Sequence, residues 1–441
     1  MFFISTIHGA FLANAAELTN SILPMRDRAE FIDQITAKRV KQLLPKLMTE
    51  HNIDMWLIIS REYNEDPVIK TLLPATWLSA RRTTILVLAR KDDASVGAYA
   101  IAPYKVGEIF EKAWDKSKQP NQWLALAELI NLHNPKTIAI NQSEYWGHAD
   151  GLVATDKEKL LTHLPIKHQE KLVSAESLAV AWLEQRITEE VDVYRSIVKI
   201  AHKIIAEAFS KEVITPNKTT TDDVAWWLRE RVRELKLQTW FHPSVSIQRS
   251  DNILFDHEDS FTNGHNPKII LPGDLLHVDF GISYLRLNTD TQQHAYVLKP
   301  GEIMAPKYLQ AALASGNKLQ DLFTEQFMVG LSGNQVLKRA RKSAISHGLK
   351  PTIYTHPLGF HGHAAGTTLG MWDAQNGVVG SGDYPLHVNT AYSIELNNAI
   401  YIEAWKKEIR IMLEEDAIFD ETGVWYLNGR QKELLLIQAD I

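Results

Sequence analysis

The feature of this sequence that most constrains its fold is a set of acidic residues inside apolar, strand-like segments. Glu395 lies in the middle of residues 392–396, Tyr-Ser-Ile-Glu-Leu, and Glu414 lies within residues 410–419, Arg-Ile-Met-Leu-Glu-Glu-Asp-Ala-Ile-Phe. Carboxylates are seldom buried in a sheet unless they are paired or bind a cation. The two segments therefore predict a sheet that holds positive charge beside its acids.

A second pair of acids lies on a predicted hairpin. The apolar segment 276–281, Leu-His-Val-Asp-Phe-Gly, carries Asp279, and Asp290 follows eleven residues later after a turn. Facing strands of a hairpin can point side chains into one space, and two buried carboxylates there would repel each other and take up a proton. A surface hairpin with two unrelated acids fits the same spacing, so this pair alone leaves both interpretations open.

Residues 355–363, Thr-His-Pro-Leu-Gly-Phe-His-Gly-His, suit a turn that brings imidazoles to a site, although an exposed loop is the alternative. The chain has no cysteine, which excludes disulfides, thiolate metal sites and cysteine nucleophiles. The remaining candidates are oxygen and nitrogen ligands that suit two divalent ions such as Mn, Co, Fe or Zn. They are Asp279, Asp290, His356, Glu395 and Glu414.

Composition describes an ordinary globular chain. Its 441 residues are 45% hydrophobic, which predicts two or three domains with ample core. The formal net charge of −6 gives no indication of a nucleic-acid partner, and no apolar run approaches the length of a membrane span.

The pattern of the chain changes near residue 186. Helical spacing over 26–51 and 123–132 alternates with strand-like runs at 55–59, 84–88 and 137–140, which predicts an α/β domain over 26–186. A long helix begins at Thr188 and another near Thr221; strands and turns follow Phe241, with helices near 306–327 and 333–347. We therefore expect a second, α+β domain over 187–441.

Residues 1–25 are interpreted as an N-terminal extension or a signal remnant. Ala13-Asn14-Ala15 has the small-x-small pattern of a signal-peptidase site, but no Lys or Arg precedes Arg26. Exported, periplasmic and cytoplasmic locations all stay open on this observation.

The order Asp, Asp eleven residues later, His, Glu, Glu resembles the metallopeptidase family of Xaa-Pro aminopeptidases, prolidases and methionine aminopeptidases. His257, five residues after Asn252, and His363, seven after His356, extend the resemblance. It covers essentially the whole chain and is closest to the prolidase and Xaa-Pro aminopeptidase branch. It implies a creatinase/prolidase-type α/β N-terminal domain followed by an α+β "pita-bread" catalytic domain.

The resemblance also implies a reaction, hydrolysis of peptides at an Xaa-Pro bond by a hydroxide that bridges two metal ions, with manganese the expected metal. Asp279 would bind one ion, Asp290 and Glu414 would bridge both, and His356 and Glu395 would complete the other. Glu395 would also carry a proton, while His257 and His363 would bind the substrate and its oxyanion. A homodimer is expected from the same resemblance.

Several positions depart from the family's pattern. Leu396 and Asn397 replace the usual Pro-Gly, Ala364 replaces an acid, and Met412 replaces an arginine. The Thr-Arg that often follows the second Asp reads Thr291-Gln292-Gln293. Arg410, two residues earlier, would point to the same face of a strand as Met412. None of these changes removes a candidate ligand, but they affect the residues around the ligands and hence substrate choice and rate.

Two alternatives belong to other functional classes. One is a metal-free amidinohydrolase of the creatinase sort, and the other is a catalytically silent binding module on the same fold. Both branches usually lose metal-binding side chains, whereas all five candidate positions here carry ligand-capable residues. Whether a peptidase of this kind would take dipeptides or longer peptides stays open.

Overall fold

The structure is a computed structural model that describes residues 22–254 and 267–438. The chain forms two compact units, one containing Pro24–Glu189 with Ala364–Gly366, and the other containing Glu190–His363 and Thr367–Ile441. The predicted extension falls almost entirely outside the described residues, as does His257.

The N-terminal unit is built on a six-stranded mixed sheet with the order β4-β3-β2-β1-β5-β6. Its strands are β1 (Met55–Arg61), β2 (Thr83–Arg90), β3 (Val96–Ala100), β4 (Glu111–Lys112), β5 (Ile138–Ile140) and β6 (Leu172–Ser174). Its helices are α1 (Met25–Gln42), α2 (Leu44–Glu50), α3 (Pro67–Leu72), α4 (Gln122–His133), α5 (Ala154–His163), α6 (Ile166–Gln169) and α7 (Glu176–Glu184), with a 3-10 turn at Gly147–Ala149.

The helical segment predicted over 26–51 is two helices rather than one. Helix α1 ends at Gln42 and α2 begins at Leu44, with Pro45 in the first turn of α2. Proline lacks the N–H that a continuous helix would need at this position, but it is tolerated in a first turn. The three predicted strands of this unit correspond to β1, β2 and β5.

The C-terminal unit is built on a nine-stranded sheet whose main order is β12-β14-β15-β11-β8-β7. Its strands are β7 (Ser244–Gln248), β8 (Leu275–Phe280), β11 (Thr291–Val297), β12 (Pro351–Ile353), β13 (His356–Leu358), β14 (Thr390–Ile402), β15 (Lys407–Asp420), β16 (Gly423–Tyr426) and β17 (Leu435–Ile437). A two-stranded pair, β9 (Ser283–Tyr284) and β10 (Leu287–Asn288), lies in the connection from β8 to β11.

Four helices supply most of the apolar partners of this sheet. They are α8 (Thr188–Ala208), α9 (Thr221–Glu234), α10 (Lys307–Thr324) and α11 (Gly333–Ser346). Ile197 and Ile204 of α8 share one core with Val278 of β8. Leu313 of α10 shares another with Leu413 of β15. Burial of these side chains is the main source of stability of the unit.

Strand alternation separates the apolar and acidic side chains of the sheet. Because successive side chains of a strand point to opposite faces, the residues next to Val278 and Leu413, which are Asp279 and Glu414, face away from these helical cores. Glu395 lies between Ile394 and Leu396 of β14, which are both in the core shared with α10. Asp279, Glu395 and Glu414 are thus gathered on the face of the sheet opposite these helical cores.

Within the described ranges, no helix is both long enough and apolar enough to cross a membrane.

Candidate metal centre

A row of four directly opposed residues crosses the middle of the large sheet. Asp279 of β8 pairs with Gln292 of β11, Gln292 pairs with Glu414 of β15, and Glu414 pairs with Glu395 of β14. Side chains at paired positions of neighbouring strands point to the same face. The register of the sheet therefore brings together three of the five predicted ligands, although Asp279 and Glu414 are 135 residues apart in the sequence.

The other two predicted ligands lie at strand ends beside this row. Asp290 comes immediately before β11, and His356 is the first residue of β13, paired with Ser393 of β14. His356 Nε2 lies 3.6 Å from Asp290 Oδ2, 3.9 Å from Glu395 Oε2 and 3.6 Å from Glu414 Oε1. Ligand atoms about 2.1 Å from one tetrahedral ion are separated by about 3.5 Å. These four side chains therefore have the spacing of a metal site.

Asp279 belongs to a second, overlapping group. One carboxylate oxygen each of Asp279, Asp290 and Glu414 lies within 4.8 Å of the others. Asp290 and Glu414 are thus common to the set around Asp279 and to the set around His356. Two neighbouring positions that share two carboxylates can hold a pair of ions with bridging ligands.

Several candidate ligand atoms have no hydrogen-bond partner in the part of the chain that the structure describes. Asp279 Oδ1, Asp290 Oδ1 and His356 Nε2 are buried and form no hydrogen bond there. Buried polar atoms are nearly always satisfied, so each unpartnered atom requires an explanation. A divalent cation would supply the missing interaction for all three, and the residues present therefore fit such an ion.

Burial and mutual repulsion raise the pKa values of the clustered acids. Burial is the largest cause for each of them, and neighbouring carboxylates raise the pKa of Asp279, Asp290 and Glu395 further. The pKa of Glu414 is raised to about 7. Bound cations would reverse these shifts, because opposite charge favours the ionised form.

Burial has the opposite effect on the imidazole. It lowers the pKa of His356 to about 4, so the ring is neutral at neutral pH. His356 Nδ1 lies 3.0 Å from the carbonyl oxygen of Pro357. A proton on Nδ1 donated to that carbonyl leaves the lone pair of Nε2 directed at the acids, which is the state required of a metal ligand.

The structure places His363, the predicted substrate-binding histidine, beside the cluster. It is exposed, and its ring centroid is 4.6 Å from that of His356 and 5.1 Å from that of Trp240. Gly362 permits this arrangement, because a Cβ at this position would lie 2.3 Å from the Trp240 ring. His363 is therefore available to a ligand at the metal centre, whereas His257 lies outside the described residues.

Glu414, rather than its neighbour Glu415, faces the cluster. Glu415 Oε1 accepts hydrogen bonds from Gln293 Nε2 at 3.2 Å and from the backbone N–H of Gln431 at 2.9 Å. Its other oxygen lies 2.8 Å from His202 Nε2. A slip of one residue would exchange the two glutamates between faces, and the extended pairing of β14 with β15 fixes the register.

Some of the positions that depart from the family's pattern contact one another. Arg410 donates to Asn397 Oδ1 at 2.8 Å, and Asn397 Nδ2 donates to the hydroxyl of Tyr354 at 3.4 Å. Arg410 thus shares a face with Asn397, as expected from alternation, but its partner is an amide rather than a ligand carboxylate. Met412 donates its backbone N–H to the buried His294.

Two residues near the centre, Ser393 and Trp240, were not identified from the sequence, and a third, Gln292, was noted only as a departure from the family's pattern. Gln292 Nε2 donates to Glu395 Oε1 at 2.6 Å and to Glu414 Oε2 at 2.8 Å, and the Ser393 hydroxyl donates to Glu414 Oε1. Trp240 donates to the carbonyl of Thr289 at 2.9 Å. Gln292 lies two residues after Asp290, and Ser393 lies two residues before Glu395. Because side chains two residues apart on a strand point to the same face, this spacing could have identified both residues as neighbours of the ligands.

Comparison with family models matches residues 192–420, just over half of the chain, to metallopeptidase family M24. Comparison with curated proteins gives no significant match.

Solved structures match nearly the whole chain at low identity. An X-Pro aminopeptidase from Thermotoga maritima MSB8 matches with a TM-score of 0.62 and 16% identity, over 89% of this chain and 99% of that one. An Xaa-Pro dipeptidase from Bacillus anthracis matches with a TM-score of 0.60 and 16% identity, over 91% of this chain and 99% of that one. A prolidase from Pyrococcus furiosus matches with a TM-score of 0.55 and 16% identity, over 88% of this chain and 100% of that one.

These likenesses confirm the predicted fold class, a mixed α/β N-terminal region followed by the sheet-rich catalytic domain. The family match spans most of the long helix α8, all the described candidate ligands and the whole of β15. The chain belongs to metallopeptidase family M24.

Proposed function

We propose that this protein hydrolyses peptides at an Xaa-Pro bond with the help of two divalent metal ions, manganese being the expected metal. Asp279, Asp290 and Glu414 would hold one ion, and Asp290, His356, Glu395 and Glu414 would hold the other. The observation that carries the proposal is the position of His356 Nε2, 3.6–3.9 Å from one carboxylate oxygen each of Asp290, Glu395 and Glu414. Asp279 Oδ1 and Asp290 Oδ1 beside them lack a donor among the described residues.

The ions, when bound, would lower the pKa of a coordinated water and polarise the scissile carbonyl. The chain's own residues then have distinct tasks. Burial and neighbouring carboxylates raise the pKa of Glu395, so this group is suited to accept a proton from the attacking water and to pass it to the leaving nitrogen. The exposed His363 can donate a hydrogen bond to the substrate's carbonyl oxygen as negative charge develops there.

Preference for proline is supported by the fold of the chain rather than by a single side chain. An Xaa-Pro bond lacks an N–H and carries a bulky ring, so its recognition requires a shaped apolar wall. Trp240, packed against His363, is an aromatic surface next to the metal centre. The matched structures named as an X-Pro aminopeptidase, an Xaa-Pro dipeptidase and a prolidase agree with this preference.

The test compares peptides that differ only at the second position. We expect the Mn²⁺-loaded protein to cleave Ala-Pro or longer Ala-Pro-initiated peptides, and to cleave the matched Ala-Ala peptides at least tenfold less efficiently. A chelator should abolish cleavage, and added Mn²⁺ should restore it. Cleavage that is unaffected by complete removal of metal, or no cleavage of any Xaa-Pro peptide by the loaded protein, would refute the proposal.

The same set of substrates addresses the length of the peptide. Cleavage of Ala-Pro alone would indicate a dipeptidase, and cleavage of longer peptides an aminopeptidase. We also propose a homodimer, on the resemblance alone, and light scattering of the purified chain tests it.

A further inference from the structure

We propose that the exposed face of helix α11 attaches the protein to the surface of a membrane that contains anionic lipids. Lys338, Arg339, Lys342 and Ile345 form this face, and all four are exposed. The attachment is peripheral, and it does not depend on the proposed peptidase reaction.

Charge is distributed unevenly along this segment of the chain. Residues 333–350 contain five Lys or Arg and no Asp or Glu, although the formal net charge of the whole chain is −6. Arg341 donates to the carbonyl oxygen of Gln375, and Lys350 is paired with Glu408. The side chains of the other three cations form no ion pair or hydrogen bond with any residue that the structure describes. These three charges are therefore free to interact with an external anion.

Helical spacing places the three cations and Ile345 on the outer side of α11. Lys342 lies four residues after Lys338, three after Arg339 and three before Ile345, so it neighbours all of them on the helix surface. The other side of the helix belongs to the core that includes side chains of β14 and β15, to which it contributes Val336, Leu337, Ala340 and Ala344. One side of α11 is thus anchored, while the other presents cations to solvent.

Apolar side chains are exposed on the same helix and on a loop of the same unit. Ile345 is 57% exposed, and in the loop 371–380 Val379 is 80% and Met371 46% exposed. Asp373 is the only acid in this loop. Large apolar groups exposed in this way are a feature of surfaces that bind a partner or a membrane.

The loop lies along α11 and joins its surface to that of the helix. Asn334 Nδ2 donates to the carbonyl oxygen of Val378 at 2.9 Å, and Arg341 donates to that of Gln375. Lys338 lies four residues after Asn334 and three before Arg341, so these three share one stripe of the helix. The cations and the exposed apolar side chains therefore belong to neighbouring parts of one surface.

An anionic bilayer fits this surface better than other polyanions. Its headgroups attract Lys and Arg, and apolar side chains beside those cations gain free energy by entering the boundary between headgroups and acyl chains. A nucleic acid or an unstructured acidic polypeptide supplies negative charge but no apolar phase, so Ile345 and Val379 would stay in water. Each cation close to an anionic bilayer strengthens attachment about fivefold, so the three together contribute about 100-fold.

Co-sedimentation with lipid vesicles tests the attachment. The full-length protein is mixed with vesicles of phosphatidylcholine, with or without added phosphatidylglycerol, at about 0.1 M and about 1 M NaCl, where the Debye length is about 10 Å and about 3 Å. At the lower salt we expect binding to the anionic vesicles to be at least tenfold tighter than to the neutral ones. This difference should disappear at the higher salt. Equal binding to both kinds of vesicle, or no binding to either, would overturn the proposal.

Removal of the three charges should weaken the attachment by about 100-fold. The variant is Lys338→Gln/Arg339→Gln/Lys342→Gln, in which glutamine preserves the helix because its helix propensity is close to that of Lys and Arg. The matched control removes as many charges from exposed lysines of the same unit that also lack a side-chain partner among the described residues, Lys199→Gln/Lys211→Gln/Lys218→Gln. It should bind anionic vesicles like the natural chain. An equal loss in both folded variants would assign the binding to net charge and refute a specific face.

A single fluorescent label distinguishes insertion of apolar groups from attraction by charge alone. The chain has no cysteine, so Val379→Cys carries an environment-sensitive fluorophore at one known position. Its emission should shift to shorter wavelength on anionic vesicles, whereas the same fluorophore on Lys199→Cys should not respond. A response at neither position, or an equal response at both, would contradict the proposal.

Other occupants of the α11 face give different results. Binding of double-stranded DNA or polyglutamate at least as tight as that of anionic vesicles, at equal concentration of negative charge, would assign the face to a polymer and overturn the proposal. A smaller molecular mass of the triple α11 variant than of the natural chain in light scattering would assign the face to a second copy of the chain, with the same consequence.

Discussion

Glu414 and Glu415 are consecutive residues of β15, yet their carboxylates lie on opposite faces of the sheet among different partners. Glu414 is paired in register with Glu395 and faces His356, whereas Glu415 lies 2.8 Å from His202 of α8. Both side chains are fully buried. These two neighbouring acids therefore have different partners. Under the proposed function, substitution of Glu414 should affect metal binding, and substitution of Glu415 should affect stability.

Glu414→Gln should lower the bound Mn²⁺ by at least one ion per chain and reduce peptidase activity by more than about 100-fold. Loss of a residue that only supports a metal ligand typically reduces activity by at most about 100-fold, and loss of a ligand should exceed that. The reason is that a neutral amide cannot bridge two cations. Glu415→Gln is the matched control; it should keep both ions and lower the free energy of unfolding by about 1–3 kcal/mol. Elemental analysis measures the bound metal, and denaturant unfolding measures the stability. Loss of metal from Glu415→Gln, with both ions retained in Glu414→Gln, would mean that Glu415 is the ligand and would contradict this assignment.

Mn²⁺ should stabilise the metal-free protein, because it removes repulsion among the four clustered acids Asp279, Asp290, Glu395 and Glu414. At a free concentration 100-fold above its dissociation constant, one ion contributes about 2.7 kcal/mol, measured as a rise in melting temperature. Asp290→Ala provides the control, since it removes a ligand common to both groups. This variant should lose metal and activity together and should not respond to Mn²⁺. A natural chain that melts at the same temperature with and without Mn²⁺ would contradict the metal centre.

Gly362→Ala should disturb the contact between Trp240 and His363, because the new methyl would overlap the indole ring. We expect a loss of about 1–3 kcal/mol of stability from overpacking and a larger KM for Xaa-Pro peptides, with Mn²⁺ binding retained. Gly147→Ala is the control, because a Cβ at Gly147 meets no atom within 4 Å. Equal kinetic constants for both variants would show that the Trp240–His363 contact has no part in substrate binding.

The contact of His202 with Glu415 should make stability depend on pH. Burial acts to lower the pKa of His202, but the Glu415 carboxylate outweighs burial, and the pKa is raised above its usual 6.5. A group with a raised folded-state pKa stabilises the protein fully below its unfolded pKa, and this contribution is lost as pH rises through the folded-state value. The free energy of unfolding should therefore fall more between pH 6 and pH 9 for the natural chain than for His202→Gln. An equal or larger fall in the variant would contradict this assignment.

Acids in apolar strands are rare enough to be informative, and this observation alone singled out Glu395 and Glu414, which the structure pairs directly across two strands. Glu395 and Glu414 are flanked by core residues, and alternation assigned them to the face away from the core. The same reasoning missed Gln292. Glutamine carries no charge that demands a partner, and in the polar run Thr291-Gln292-Gln293-His294 it resembles a solvent-facing strand.

The whole of β11 is in fact buried, including these four polar residues. Their burial depends on β8 and β15, which pair with β11 on its two sides. The pairing of β8 with β11 was predicted as a hairpin, but β15 lies far from β11 in the sequence. Only the sheet order therefore identifies Gln292 as a partner of Glu414. In the N-terminal unit, local signals were sufficient for β1, β2 and β5, but β3 was not recognised because Val96–Ala100 is only partly buried.

The row from Asp279 through Gln292 and Glu414 to Glu395 also has a consequence for how the chain reaches its native state. Its members come from β8, β11, β14 and β15, so more than a hundred residues must be synthesised between the first acid and the last. Contacts of such long sequence separation form slowly. Under the proposed function, capture of metal would therefore serve as a late kinetic marker, one that reports β15 closing against β11.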